Sequence, residues 1–175
     1  LRSLVYWQEV LDRPDPLLDA RADGARVSSA TGLQDFFAAT ANACTLRQRQ
    51  DGDGVEGSAR RLDLGAQFYQ AGLQLIGVQE TRCQWSAPRV SGVFWVVPSP
   101  ALPLGACGLE LWISSAHLTA RDRSSAGVFA AGPRRQLVRL AVQGRWLAIL
   151  VAHAPDLSHG AAEQEWWSET AMYLR

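Results

Sequence analysis

Lysine is absent from this chain: all 17 basic residues are arginine, and there is a single asparagine and a single methionine. Residues with AT-rich codons are scarce, so codon bias accounts for arginine over lysine before bidentate phosphate recognition is invoked. Acids also number 17, and the resulting zero net charge excludes any global electrostatic attraction to nucleic acid. A locally basic groove stays open. Cysteine is sparse and odd in number, at Cys44, Cys83 and Cys107. No Cys-x-x-Cys or histidine pair occurs, which argues against a zinc site and for a reduced, intracellular compartment, nuclear or cytoplasmic. No run of about 18 apolar residues exists, so no membrane partner is expected. The glycine-rich phosphate loop of nucleotide hydrolases and the Gly-x-Ser-x-Gly elbow of acyl hydrolases are both missing. What is present is a globular composition, 47% hydrophobic and 19% charged. The chain opens on Leu1, which is expected to mark a fragment of a longer reading frame.

Residues 1–35 read as a loosely structured extension, with at most a short amphipathic helix over Leu4–Leu11. Residues 36–175 read as part of one domain. Phe36–Ala43 has the character of a first strand, and Asp51–Gly57 of a solvated loop. Arg60–Ala71 carries Leu62, Ala66 and Tyr69 at helical spacing, with Gly72 where a C-terminal cap belongs. A strand follows at once and ends at Glu80. This strand–helix–strand order predicts a right-handed parallel crossover, which would bring Asn42 and Glu80 out at the same sheet edge. Further strands are expected at Ser91–Val97 and Gly108–Ser114, with loops at Pro98–Gly105 and His117–Pro133. Leu137–Val142 and Arg145–His153 flank Gln143-Gly144, a hairpin signal. Trp146–Ala152 is apolar throughout, as a central strand would be. A closing helix over about Ala161–Leu174 presents Ala162, Trp166, Tyr173, Trp167 and Leu174 as its apolar stripe.

The chemistry concentrates at strand ends. Leu75, Ile76 and Val78 lead into Gln79-Glu80-Thr81-Arg82, so a carboxylate stands at the mouth of a buried strand with a hydroxyl and a cation behind it. A hard metal ion takes such an oxygen ligand; from spacing alone, Glu80 is more plainly the first solvated residue after a strand. Asn42 ends the first strand, where a turn-capping asparagine is the ordinary alternative. His153-Ala154-Pro155-Asp156 ends the last strand. His153 can hydrogen-bond a phosphate oxygen, and Asp156 could bind a metal; a satisfied strand-end histidine and a helix-capping aspartate are the alternative. Arg134 and Arg135 could reach a phosphodiester or form a solvated loop pair. Trp85, Trp95 and Trp112 could stack on bases, although core packing is the commoner fate. His117 and His159 read as ordinary loop residues.

Leu73–Cys83 resembles the metal-glutamate motif of the endonuclease/exonuclease/phosphatase superfamily, an apolar strand ending in Gln-Glu-Thr and then Arg or Lys. That group holds DNase-I-like nucleases, apurinic/apyrimidinic endonucleases and LINE-type retrotransposon endonuclease domains, the last two being most similar. Phe36–Ala43 resembles the family's strand ending in asparagine, with Cys44 where an acid often stands in the repair-type nucleases. His153–Asp156 resembles its Tyr-x-Pro-Asn segment, with His and Asp substituted. The resemblance implies an α/β (α+β) fold, the first half of a four-layered α/β sandwich with mixed, mainly antiparallel sheets. It implies Mg²⁺ (or Mn²⁺) held by Glu80, with Asn42, His153 and Asp156 in catalytic roles and Arg134 and Arg135 binding substrate. The implied reaction is phosphodiester hydrolysis of nucleic acid, DNA first, in a retroelement protein carrying a reverse transcriptase downstream.

The family's Asp-x-Asn pair and its Ser-Asp-His segment, which supplies the general base, are both absent, and no Asp-His dipeptide occurs in the 175 residues. The downstream half of the same domain is therefore an expected partner, and half a sandwich would leave one apolar sheet face bare. Two alternatives stand beside this reading. One is a degenerate, non-catalytic packing or binding module. The other is a phosphoinositide or sphingomyelin phosphodiesterase of the same superfamily, which the Ala-Pro after His153 disfavours.

Overall fold

The computed structural model describes residues 3–9, 26–27, 36–44, 46, 58–142, 145–154 and 161–173. Among the described residues, two β-sheets and three α-helices form the fold, an α+β arrangement. In chain order these are β1 (Ser3–Glu9), β2 (Arg26–Val27), β3 (Phe36–Asn42), α1 (Ser58–Gln70), β4 (Leu75–Gln79), β5 (Arg89–Ser91), β6 (Phe94–Ser99), β7 (Leu109–Ser114), α2 (Ala120–Ser125), β8 (Gly127–Ala131), β9 (Arg135–Val142), β10 (Arg145–His153) and α3 (Ala161–Met172). A six-stranded sheet runs β2-β3-β4-β7-β6-β5, and a four-stranded sheet runs β1-β10-β9-β8.

The β3–α1–β4 unit fixes the first sheet. β3 and β4 pair in parallel, Ala38 opposite Leu75 through Asn42 opposite Gln79, while β4–β7, β7–β6 and β6–β5 are antiparallel. Gly72, at φ +70°, closes α1: its N–H donates to Tyr69 and that of Leu73 donates to Phe68. This is the double bond pattern of a left-handed helix cap, a conformation glycine adopts without a Cβ penalty. Every residue of β4, β6 and β7 is buried.

The sheets pack face to face. Leu75, Trp95, Val97, Leu109, Leu111 and Ile113 from one meet Val138, Leu140, Leu147, Ile149 and Val151 from the other. A fully buried side chain of this kind contributes roughly 1.5–3 kcal/mol, so this interface is the main source of stability. On the outer face of the six-stranded sheet, Ile76, Val78, Phe94, Val96 and Trp112 lie under Leu64 and Phe68 of α1. On the outer face of the other sheet, Leu137, Leu150 and Ala152 lie under Trp166 and Trp167 of α3. Among the described residues the two inner faces bury each other, while Val128, Phe129 and Trp146 of the four-stranded sheet stay exposed.

Several local expectations need correction. Residues 3–9 form a strand, not a helix or loose extension, and pair antiparallel with β10 from Ser3 opposite His153 to Glu9 opposite Leu147. β1 completes the sheet by giving β10 a second neighbour. Ser91–Val97 is not one strand: Gly92, at φ +58°, turns the chain between β5 and β6. The stretch 117–133 contains α2, capped reciprocally by Thr119 and Asp122, and the edge strand β8, which bulges at Phe129. Helix α1 lies where predicted, but its buried face is Arg61, Leu64, Gly65 and Phe68, while Leu62, Ala66 and Tyr69 face solvent. The 51–57 loop, the Gln143-Gly144 turn, Asp156, His159 and Leu174 lie outside the described residues.

Candidate functional site

Glu80 leaves β4 in the left-handed region, at φ +52°, and so does Arg82 at +56°. Cys44 (+52°) and Cys107 (+63°), on the segments flanking them, share that conformation. It costs a non-glycine residue roughly 1–2 kcal/mol, so neighbouring contacts must hold it in place. They do so from both sides. Thr81 N–H donates to Gly108 and Arg82 N–H to Cys107, while Ala43 N–H donates to Gln79 and Leu46 N–H to Thr81. Gly108 (φ +92°) leaves no room for a side chain, because a Cβ there would stand 2.9 Å from Thr81 Oγ1. The Gln-Glu-Thr-Arg turn is thus a rigid, backbone-braced loop.

His153 reaches this turn from the other sheet. Its Nε2 stands 3.6 Å from Glu80 Oε1, the imidazole 3% exposed and the carboxylate 26%. Neither ring nitrogen has a hydrogen-bond partner, a state that costs a buried polar group about 1–3 kcal/mol. Burial pushes the His153 pKa below the usual histidine range and the Arg134 cation adds to this, while the Glu80 carboxylate opposes both. The ring is therefore biased towards neutral imidazole. Arg82 Nη2 lies 4.0 Å from Glu80 Oε2, and Arg134 Nη1 donates to the Ala154 carbonyl at 3.3 Å.

Gln79 joins the two halves of this arrangement. It is fully buried, and its Nε2 donates to Thr40 Oγ1 on β3 (3.0 Å) and to the Ala152 carbonyl on β10 (3.1 Å). Gln136 makes the reverse link, from β9 to the Val97 carbonyl of β6 at 3.0 Å. Ser99 Oγ donates to Gly132, and the Gly108 N–H donates to Pro133. The sheets are stitched by polar bonds at the end where Glu80 and His153 emerge.

No family model and no curated protein matches this chain. The site therefore rests on its own geometry. That geometry brings together Glu80, His153 and Arg134 among the residues singled out from sequence. Asn42 sits in register with Gln79 at the same sheet edge. Its Oδ1, however, accepts from Cys44 N–H at 2.9 Å, the turn-capping role. Arg135 does not reach the site: it is paired with Ala152, one residue from His153 and so on the opposite sheet face. There it binds Glu169 at 2.7 Å and lies 5.1 Å from the Trp166 ring centroid. Trp95 and Trp112 are core residues, and Trp85 is half-buried. Among the described residues no group of three or more His, Cys, Asp or Glu converges on a metal position. No described helix is long and apolar enough to cross a membrane.

Sequence reasoning missed a second polar centre, beneath α1. Arg61 makes a bidentate pair with Glu110 (2.5 and 2.8 Å), side chains 3% and 0% exposed. Glu110 also accepts from the indoles of Trp85 (3.1 Å) and Trp112 (2.7 Å), and Arg61 Nη2 donates to Cys83 Sγ. The Cys83 thiol is pushed up to about 11 by burial and by the Glu110 carboxylate. It is an inert thiol that helps fasten the strand exit bearing Glu80. The available signal was a strand glutamate flanked by apolar residues, since a buried charge must find a partner.

Proposed function

We propose that this chain supplies one corner of a divalent-metal phosphodiesterase centre acting on nucleic acid. The observation that carries the reading is the meeting of Glu80, held at φ +52°, with the buried His153 imidazole 3.6 Å away across the two sheets. A partly exposed carboxylate on a braced turn fits a hard divalent cation, Mg²⁺ first. Such an ion supplies charge stabilisation on phosphate and lowers the pKa of water. Glu80 would hold it. His153 would donate to a phosphate oxygen, and Arg134 and the half-exposed Arg82 would offset phosphate charge. Asn42 would act from the same sheet edge once its cap on Cys44 opens.

A general base is not among these residues. The sequence has no Asp-His dipeptide and no Asp-x-Asn, so the proposal assigns the base to further residues of a longer protein. The non-catalytic binding module is the second reading, and the missing base favours it for these 175 residues in isolation. The deciding experiment pairs Mg²⁺ titration calorimetry with plasmid nicking. Mg²⁺ binding that Glu80→Gln abolishes, without nicking by the isolated chain, is the expected pattern. Metal binding indifferent to Glu80→Gln would sink the proposal. Robust nicking would overturn the assignment of the base elsewhere.

A further inference from the structure

We infer that Glu80 and His153 together form a carboxylate–imidazole seat that selects a borderline first-row ion, in the range Fe²⁺ to Zn²⁺, over Mg²⁺. The inference rests on the metal-centre reading above and goes past it by giving His153 a ligand's role in place of a phosphate contact. Three observations converge. The Nε2–Oε1 separation of 3.6 Å is too long for a hydrogen bond, yet close to the spacing of two ligands on one ion. Ligands at roughly 2.0–2.1 Å stand about 3.4 Å apart in tetrahedral geometry and about 3.0 Å apart at neighbouring octahedral positions, so the wider, tetrahedral ion fits better. Both imidazole nitrogens lack hydrogen-bond partners although the side chain is 3% exposed, which leaves Nε2 available as a donor atom aimed at the carboxylate.

The third observation is rigidity. The carboxylate comes from one sheet and the imidazole from the other, and Gln79 bonds the backbone of Ala152, the residue before His153. The two ligands are thereby pre-positioned and not gathered by the ion. Imidazole suits borderline ions, whereas Mg²⁺ favours oxygen donors, so a ligand pair of this composition discriminates by donor chemistry. With no third His, Cys, Asp or Glu converging among the described residues, the remaining positions fall to water or phosphate oxygens, one open position more than a three-ligand catalytic zinc site keeps. Arg82, 4.0 Å from Glu80, competes for the same carboxylate and keeps the affinity modest.

The test uses the whole chain carrying His117→Gln and His159→Gln, so that His153 is the only histidine. Calorimetry should show one Zn²⁺ bound at least about 10-fold more tightly than Mg²⁺, in the direction that imidazole ligation favours. Adding His153→Gln should cut the Zn²⁺ affinity about 10-fold or more and leave the Mg²⁺ affinity unchanged. Loading the single-histidine protein with Co²⁺ needs no change at the site itself, and should give strong visible absorption with one paramagnetically shifted imidazole N–H resonance. Equal Zn²⁺ and Mg²⁺ affinities, or no shifted imidazole resonance, would overturn the inference. If Mg²⁺ still depends on Glu80 in that case, the metal-centre reading survives alone. If Glu80→Gln weakens neither ion, both fall.

Discussion

Helix α1 is fastened to its sheet by an arginine–glutamate pair with side chains 3% and 0% exposed, and α3 to its own by one at 21% and 47%. The chemistry is the same and the consequence is not. Arg61–Glu110 has lost its water, so its polar atoms draw partners from the protein: two indoles donate to the Glu110 carboxylate, and Arg61 donates to the Cys83 thiol. Arg135–Glu169 stays partly solvated, and beside its bond at 2.7 Å the arginine only lies over the Trp166 and Tyr173 rings and reaches Thr170 Oγ1 at 3.5 Å. The first pair also bears on the candidate site. Cys83 and Trp85, which it grips, follow Glu80 by three and five residues, so α1 braces the turn from the far side of the sheet. The second anchors a helix and nothing more. A buried pair is costly to break; a rim pair contributes little.

Substitutions can break that contrast. Arg61→Met should cost about 3–5 kcal/mol in urea unfolding, because Glu110 is left as an unpaired buried charge. Combining it with Glu110→Leu should restore most of the loss; a single-mutant cost below about 1 kcal/mol would erase the distinction between the two pairs. Gln79→Leu should cost about 1–3 kcal/mol, since it strips the Ala152 carbonyl and Thr40 of a buried donor. It should also move the His153 ring resonances in NMR, and unmoved resonances would deny Gln79 any part in holding the site.

Acid probes the same end of the sandwich. The native pKa of His153 lies below its unfolded value near 6.5. Stability is therefore fully present above that unfolded value and falls as the pH drops through it towards the native pKa, because the unfolded chain binds the proton first. The His153→Gln variant should show a flatter pH slope across this window, and an unchanged slope would refute the assignment. Smallest of all, Arg135→Ala should cost under about 1 kcal/mol and the loss should shrink in high salt. The Arg61→Met loss should be nearly independent of salt, which sharpens the comparison further.

The strand–helix–strand unit and the carboxylate at its mouth were legible because they depend on local pattern: an apolar run, a helical period and a glycine cap. Parallel pairing of β3 with β4 followed from connection rules, and Asn42 came out level with Gln79 for that reason. The inward face of α1 was illegible. Its apolar residues Leu62 and Tyr69 face solvent while Arg61 is buried, and only the partner Glu110, 49 positions away, makes that arrangement favourable. β1 escaped notice for a similar reason: an isolated edge segment acquires strand structure from β10, 140-odd residues later.

Taken by itself, the sequence determined the ends of the strands and the residue types standing there. Which ends meet was left to the packing of the two sheets. Glu80 and His153 lie far apart in the chain and on different sheets, and no local propensity brings them together. Burial of the inner apolar faces sets the sheets against each other, and the paired glutamines Gln79 and Gln136 fix how they align at this end. Register within its own sheet sends Arg135 to the outer face, because side chains one position apart on a strand point to opposite faces, while Asn42 is held by a local cap bond to Cys44 N–H.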